Sequence, residues 1–417
     1  MKIIIAGAGI GGLTLGLMLQ QRGMDCELFE SVRQIKPLGV GINLLPHAAN
    51  EMQQLGLLDT LKESGVQTSA LHYYNCHGQP IWQEPRGLAA GYPVPQLSIH
   101  RGELQLRLAH AVQERLGSQR LHTGQALESF SQDHNGVTAR FRDRATGELN
   151  DVRGDVLIGA DGIHSALRTL LAPHNNALQF SGRMLWRAVT EAEPYLDGTT
   201  MFMAGHQDQK FVCYPISEPM RRQGKSLINW IAELRIPQAD LPTTDWNREV
   251  DASVFSKPFE NWRWSWIDIP AIIQGAKAIY EFPLVDKDPL PRWSYERVAL
   301  LGDAAHPMYP IGSNGSAQAI LDARYLADRL AACSSNQHQH VVLALKEYEA
   351  ERMPITSGIV LRNRLNGPEQ VMQIAHERAP QGFTDIHQVV PQQELADIAA
   401  RYKRLAGFDP SKFGARP

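Results

Sequence analysis

The sequence predicts an α/β protein in which a parallel sheet flanked by helices is joined to a second, mainly antiparallel β-sheet. Three observations carry that prediction. A strand, a glycine turn, a helix and a second strand follow one another within the first 30 residues. Two later apolar runs each end in a glycine turn, and between residues 178 and 283 tryptophan, threonine and tyrosine accumulate while helical periodicity fades. At 417 residues the chain exceeds one small module, since a domain takes roughly 100–200 residues.

Taken in order, Ile3-Ile4-Ile5-Ala6 is the continuous apolar run that a strand buried on both faces requires. Leu13 to Arg22 follows as a helix closed by Gly23, and Cys26 to Glu30 is the next strand. A strand, helix and strand in succession imply parallel pairing, because parallel neighbours are joined only through a crossover. Val156-Leu157-Ile158 before Gly159, and Val298 to Leu301 before Gly302, should enter the same sheet. Leu178 to Pro283 holds six of the eight tryptophans: Trp186, Trp230, Trp246, Trp262, Trp264 and Trp266. Aromatic and β-branched enrichment assigns it to the second sheet. After Gly315 the helical period returns through Ile320, Ala323, Ala327 and Leu330, with Arg324 and Asp328 paired on the outer face. From His340 the chain reads as helices interrupted at Pro354 and Pro368.

Composition narrows the class. Hydrophobic residues make up 43% and charged residues 20%, and 41 Lys+Arg against 44 Asp+Glu leave a formal charge of −3. That balance gives no general attraction to nucleic acid or to an anionic bilayer. Cys26, Cys76, Cys213 and Cys333 form no C-x-x-C pair and read as free thiols of a cytoplasmic protein. Ile3 to Leu19 is uncharged but carries Gly7, Gly9, Gly11, Gly12 and Gly16, which suits neither a spanning helix nor a signal peptide.

Gly7-Ala8-Gly9-Ile10-Gly11-Gly12 fits G-x-G-x-x-G between a strand and a helix. Such glycines let backbone N–H groups approach a pyrophosphate at a helix N-terminus. Glu30 closes the second strand, where a carboxylate can accept hydrogen bonds from a ribose diol. A Rossmann-like site for FAD or NAD follows; the motif alone does not choose between them.

Further segments carry a resemblance that does choose. These are Gly159-Ala160-Asp161-Gly162 followed by Arg168, Gly302-Asp303-Ala304-Ala305-His306-Pro307, and Ser98 to Leu104 around Arg101. With them the chain resembles the class A flavoprotein aromatic hydroxylases, FAD-dependent monooxygenases built like p-hydroxybenzoate hydroxylase. Within that class, Ile35 to Asn43, Trp82 to Gly87, Ser98 to Gln105, Leu284 to Pro291 and Gly302 to Ile320 resemble segments of the phenazine hydroxylases acting on 5-methylphenazine-1-carboxylate.

The resemblance implies a discontinuous FAD-binding domain over 1–71, 101–177 and 284–365, a substrate domain over 72–100 and 178–283, and a C-terminal helical segment over 366–417. It implies cofactor contacts from Gly7, Gly9, Ile10, Gly11, Gly12, Glu30, Ser31, Val40, Gly41, Arg101, Leu127, Asp161 and Asp303. The turn Gly312-Ser313-Asn314-Gly315 is added to these, although the family commonly has G-Q-G nearby. Asp303 is placed to accept from a ribityl hydroxyl, and Arg101 offers donors to pyrophosphate or ribityl oxygens. Asp161 reads equally as a cap for the helix beginning near Ser165. His306 reads as a structural donor more than a base.

The implied reaction uses NADH or NADPH and O2 to hydroxylate a planar aromatic or heteroaromatic substrate, phenazine-like or an aromatic acid, through a flavin C4a-hydroperoxide. Pro310 and Gly312 flank the expected oxygen-activation site, and no catalytic base or metal site is assigned. Lys210, Tyr214 and Trp230 are the expected substrate contacts, on a sheet whose tryptophans are expected to be mostly core. A second G-x-G-x-x-G is absent, so nicotinamide should bind transiently without a domain of its own. A monomer or homodimer is expected. The alternative is a reductase or dehydrogenase of the same fold that inserts no oxygen.

Overall fold

The computed structural model describes residues 1–37, 39–237, 248–333 and 335–405. Leu38 of the glycine loop, Trp246 and residues 406–417 lie outside the described residues.

The apolar N-terminal run forms the strand Lys2–Ala6, with Ile3, Ile4 and Ile5 wholly buried. It sits inside a six-stranded sheet, between Val156–Gly159 and Asp25–Glu30. Ile3 stands opposite Val156 on one side and Cys26 on the other, both in parallel register. Val298–Leu300 pairs parallel to Val156–Gly159, so both later apolar runs join this sheet as their sequence implies. The first helix, Ile10–Gln21, starts earlier than its apolar periodicity. Gly11 and Gly12 show no pattern because they have no side chain, yet they are helical: a Cβ on Gly12 would collide with the carbonyl oxygen of Gly7.

The second sheet has eight strands, in the order Arg248–Val250, Ile279–Lys287, Leu178–Ala192, Ser226–Arg235, Gln209–Pro215, Met201–His206, Ala70–Tyr74 and Pro80–Pro85. Every pairing is antiparallel except that of Met201–His206 with Ala70–Tyr74. Strand alternation gives it two different faces. Trp186, Trp230, Phe211 and Cys213 point into one apolar cluster, while Leu185, Val212, Tyr214 and Ile231 point into another on the opposite side. A small antiparallel sheet of Gly41–Leu44, Gln96–His100 and Val66–Thr68 lies between the layers and leads directly into the helix Arg101–Leu116.

The helix Gly315–Ala331 forms where its spacing predicts, with Arg324 ion-paired to Asp328. Pro354 corrects the sequence reading. It does not interrupt the chain but lies inside one continuous helix, His338–Asn363. Both Pro354 and Ala350, whose carbonyl loses its helical donor, are exposed, so water can satisfy the freed oxygen. Pro368 does mark a break, before the helix Gln370–Arg378. That helix covers the cavity-side face of the large sheet, with Val371, Met372 and Ala375 buried there. Among the described residues no helix is long and apolar enough to cross a membrane.

Candidate active site

A cavity of about 320 Å³ opens where the first helix, the small sheet, the large sheet and the Met308–Ser316 turn converge. Gly9, Ile10, Gly11, Gly41, Arg101, Asp303, Pro310, Ser313 and Gly315 line it from the parallel-sheet side. Lys210 and Tyr214 line it from the large sheet, together with Arg187, Met201, Met203, Ile231 and Glu233.

The glycine motif is shaped to bring a ligand close. Gly7 has φ 109° and lies against the Ala160 backbone, so neither it nor Gly12 admits a side chain. Gly9 differs, because a Cβ there would meet nothing within 4 Å. The first helix also lacks a side-chain cap, leaving its first N–H groups to face that open space. Glu30 ends its strand beside the motif and accepts from the N–H groups of Ala8 at 2.8 Å and Val32 at 2.9 Å; Ser31 Oγ adds a contact at 3.1 Å.

Arg101 begins its helix with its N–H on the Val40 carbonyl at 2.9 Å, while its guanidinium is exposed in the cavity. The nearby Glu103 pairs instead with Arg107 at 2.8 Å. Asp303 also opens to the cavity yet is ringed by protein; that desolvation raises its carboxyl above the usual range, partly offset by His306 and Arg101. The residues fit FAD: open space for a pyrophosphate at a helix start, an unpaired cation, and a carboxylate facing the cleft. When bound, FAD supplies the reductive activation of O2.

The structure uses several other expected site residues differently. Asp161 accepts from Ser165 Oγ at 2.5 Å and from the N–H groups of Ala166 at 2.8 Å and Leu167 at 3.2 Å, so its carboxylate caps the helix Ala166–Leu171. Leu127 packs half-buried against the parallel-sheet core. Asn314 is wholly buried and donates to Tyr402 Oη at 2.7 Å, away from the cavity. His306 is clamped to Asp322 at 2.5 Å, and Asp322 also accepts from the Gly302 N–H at 3.1 Å, so this histidine braces the Asp303 turn.

Trp230 requires a correction. Its neighbours Asn229 and Ile231 face Gly41 and the cavity, so the two-residue alternation turns Trp230 to the far side of the sheet. There it is fully buried, with its indole N–H on Thr190 Oγ1 at 3.0 Å. Trp186, Trp262, Trp264 and Trp266 belong to the same far-side cluster.

Lys210 does reach the cavity, but as part of a buried network with Glu233 at 2.9 Å and Glu369 at 2.5 Å. Burial alone would depress its ammonium; the two carboxylates outweigh that and hold it above its ordinary range. Glu369 is pushed up by burial, partly offset by Lys210.

Arg187, Glu233 and Glu369 were not legible as site residues. The first two depend on strand register. Glu369 arrives from a segment remote in sequence.

Comparison with known proteins agrees with this geometry. The FAD binding domain family matches residues 1–363. Phenazine 1,6-dicarboxylic acid hydroxylase of Lysobacter antibioticus is 41% identical over 366 residues, covering 87% of this chain and 89% of that protein. 6-Hydroxynicotinate 3-monooxygenase of Pseudomonas fluorescens is 28% identical, covering 84% of this chain and 87% of its own length. Among solved structures, Klebsiella pneumoniae HpxO complexed with FAD and uric acid superposes with a TM-score of 0.72 at 24% identity, over 98% of this chain and 93% of that one. The relatives are hydroxylases and monooxygenases, which removes the reading of a reductase without oxygen insertion. With the dinucleotide cradle and the open cavity already in place, these likenesses establish the chain as a member of the FAD-dependent class A aromatic hydroxylase family, an FAD monooxygenase using NAD(P)H and O2.

Proposed function

We propose that this monooxygenase hydroxylates a planar aromatic or heteroaromatic carboxylate, phenazine-like in outline, and that Arg187 receives the carboxylate. The observation that carries this reading is the state of Arg187. It projects from the strand Leu178–Ala192 into the cavity, its Nε is buried without a partner, and it makes no hydrogen bond or ion pair among the described residues. The Phe282 ring lies 5.7 Å away, and both Tyr214 and Arg101 are near enough to act on its charge. Burial lowers its affinity for a proton, so an anionic ligand relieves a real electrostatic cost. The names of the relatives at 41% and 30% identity, a phenazine dicarboxylate hydroxylase and a 3-amino-4-hydroxybenzoate monooxygenase, support a carboxylated ring.

The chain's own residues then divide the work. Arg187 orients the acid by charge-assisted hydrogen bonds. Tyr214 and Gly41 form a flat wall beside it, and Met201, Met203 and Ile231 exclude water. Lys210, Glu233 and Glu369 close the polar end as a network whose charges are already largely compensated. The division into cofactor domain, substrate domain and C-terminal segment belongs to the same proposal, supported by Ala70–Tyr74 and Pro80–Pro85 joining the large sheet.

The cytoplasm is the proposed compartment, supported by four cysteines that are all free. A monomer or a homodimer is the proposed state. The experiment is a panel of aromatic and N-heteroaromatic acids beside their neutral amides, scored by NADH or NADPH oxidation and hydroxylated product. The acids should be turned over and the amides poorly. Equal turnover of both, or of neither, overturns the reading.

A further inference from the structure

The geometry points to Tyr402 as a positioning residue for the turn that faces the flavin, supplied by a part of the chain that the family match does not include. That match ends at residue 363, whereas Tyr402 lies on the helix Gln392–Leu405. The inference rests on the reading of Pro310–Gly315 as the place where the ring of FAD lies.

The turn needs an external hold. Gly312 has φ 70° and Ser313 φ 57°, two consecutive residues in the left-handed region, and one of them is not glycine. Tyr402, 4% exposed, occupies the space behind them. A Cβ on Gly312 would overlap its hydroxyl, so no side chain separates the turn from the phenol. The hydroxyl accepts from Asn314 Nδ2 at 2.7 Å and has Ile311 O at 3.2 Å and Asn363 Oδ1 at 3.1 Å within donating reach. Asn363 in turn donates to the carbonyls of Tyr309 at 3.0 Å and Ile311 at 3.1 Å. One phenol therefore joins the start of the helix Gly315–Ala331, the end of the helix His338–Asn363 and the strained turn that leads into the first of them.

Burial drives the Tyr402 hydroxyl well above its usual range, which keeps it a neutral donor at any working pH. Without that donor and acceptor, the turn loses the hold that keeps Ser313 and Gly315 aimed at the cavity. The expected consequence is not loss of FAD, whose other contacts are distant, but poorer control at the ring. Reduced flavin would then release hydrogen peroxide instead of delivering oxygen to substrate.

The test uses the full-length, FAD-loaded protein with Tyr402→Phe, Asn314→Ala and the double variant. Hydrogen–deuterium exchange of the 309–316 peptide should rise roughly 2- to 10-fold in each single variant, the effect of one lost buried hydrogen bond, with the parallel-sheet strands unchanged. The double variant should exceed the single ones by clearly less than their sum, because both changes break the Asn314–Tyr402 hydrogen bond. The fraction of NAD(P)H oxidation ending as peroxide should rise, with FAD affinity within about threefold of wild type. Faster exchange with an unchanged peroxide fraction would make Tyr402 merely structural and overturn the inference, as would additive effects in the double variant. In the wild type, adding FAD to apoprotein should slow exchange at 309–316. Failure there sinks the reading of the ring site and this inference with it, whereas failure of the Tyr402 variants alone leaves that reading standing.

Discussion

Gly41 lies against the ring of Tyr214: a Cβ on Gly41 would stand 2.7 Å from Tyr214 Cε2 and 2.7 Å from the Asn229 Cβ. The small sheet thus touches the large one at a point where backbone meets aromatic face. The Gly41 N–H also donates to Asn229 Oδ1 at 2.6 Å, which fixes the register of the contact. Gly41→Ala should therefore push the two layers apart at the cavity wall, costing about 1–3 kcal/mol of stability as an overpacked contact does. Denaturant unfolding of the purified variant checks this; an unchanged midpoint would show that the layers can separate freely.

Tyr214 and Trp230 sit on neighbouring strands but on opposite faces, so their variants should separate. Tyr214→Ala should raise the substrate KM and divert NAD(P)H oxidation to hydrogen peroxide while FAD stays bound. Trp230→Phe should leave KM unchanged and lower stability by about 1–3 kcal/mol, because Thr190 Oγ1 loses its buried donor. Measuring KM, peroxide and unfolding on both variants decides it. A KM effect in Trp230→Phe would contradict the face assignment.

Arg101 and Asp303 meet the cavity from two different elements, and neither has an ion-pair partner among the described residues. Arg101→Ala should weaken FAD binding by about 1.5–3 kcal/mol, or roughly 10- to 100-fold. Asp303→Ala should do at least as much harm. Titration of apoprotein with FAD measures both, and full affinity in the two variants would misplace the cofactor.

Arg187→Met keeps an unbranched apolar stem and removes the cation. The KM for carboxylated substrates should rise roughly 10- to 100-fold, the usual worth of a hydrogen bond to a charged group, with little change for uncharged analogues. A parallel rise for both classes would indicate damaged packing and not a lost anion site.

His206 and His376 stack with centroids 3.9 Å apart, joining the strand Met201–His206 to the helix Gln370–Arg378. Burial, reinforced by the facing His376 and opposed by Asp208, holds His206 down to about 4 from an ordinary 6.5. Because the folded value is depressed, the unfolded chain binds the proton more readily between pH 6.5 and 4. The contribution is present above pH 6.5 and is lost as the pH falls towards 4. The thermal midpoint should drop across that window, and His206→Phe should flatten the drop. An unaltered slope in the variant would remove His206 from the acid response.

The sequence by itself determined the elements whose chemistry is local. The strand Lys2–Ala6 and the glycine turn were legible because burial on both faces and close backbone approach each demand a specific run of residues. The helix Gly315–Ala331 was legible because its apolar spacing repeats every three to four positions. Tertiary structure alone decided whatever depends on register or on distant neighbours. Trp230 and Tyr214 are both aromatic residues on β-strands, and nothing local tells which face of the sheet will meet the cavity; a shift of one residue exchanges the faces. Pro354 carries the signal of a helix break, yet exposure of the Ala350 carbonyl to water removes the reason to break. Glu369 and Tyr402 reach the site from beyond the helix His338–Asn363, because packing of the last helices against the large sheet and the 311–315 turn brings together groups that no sequence spacing connects.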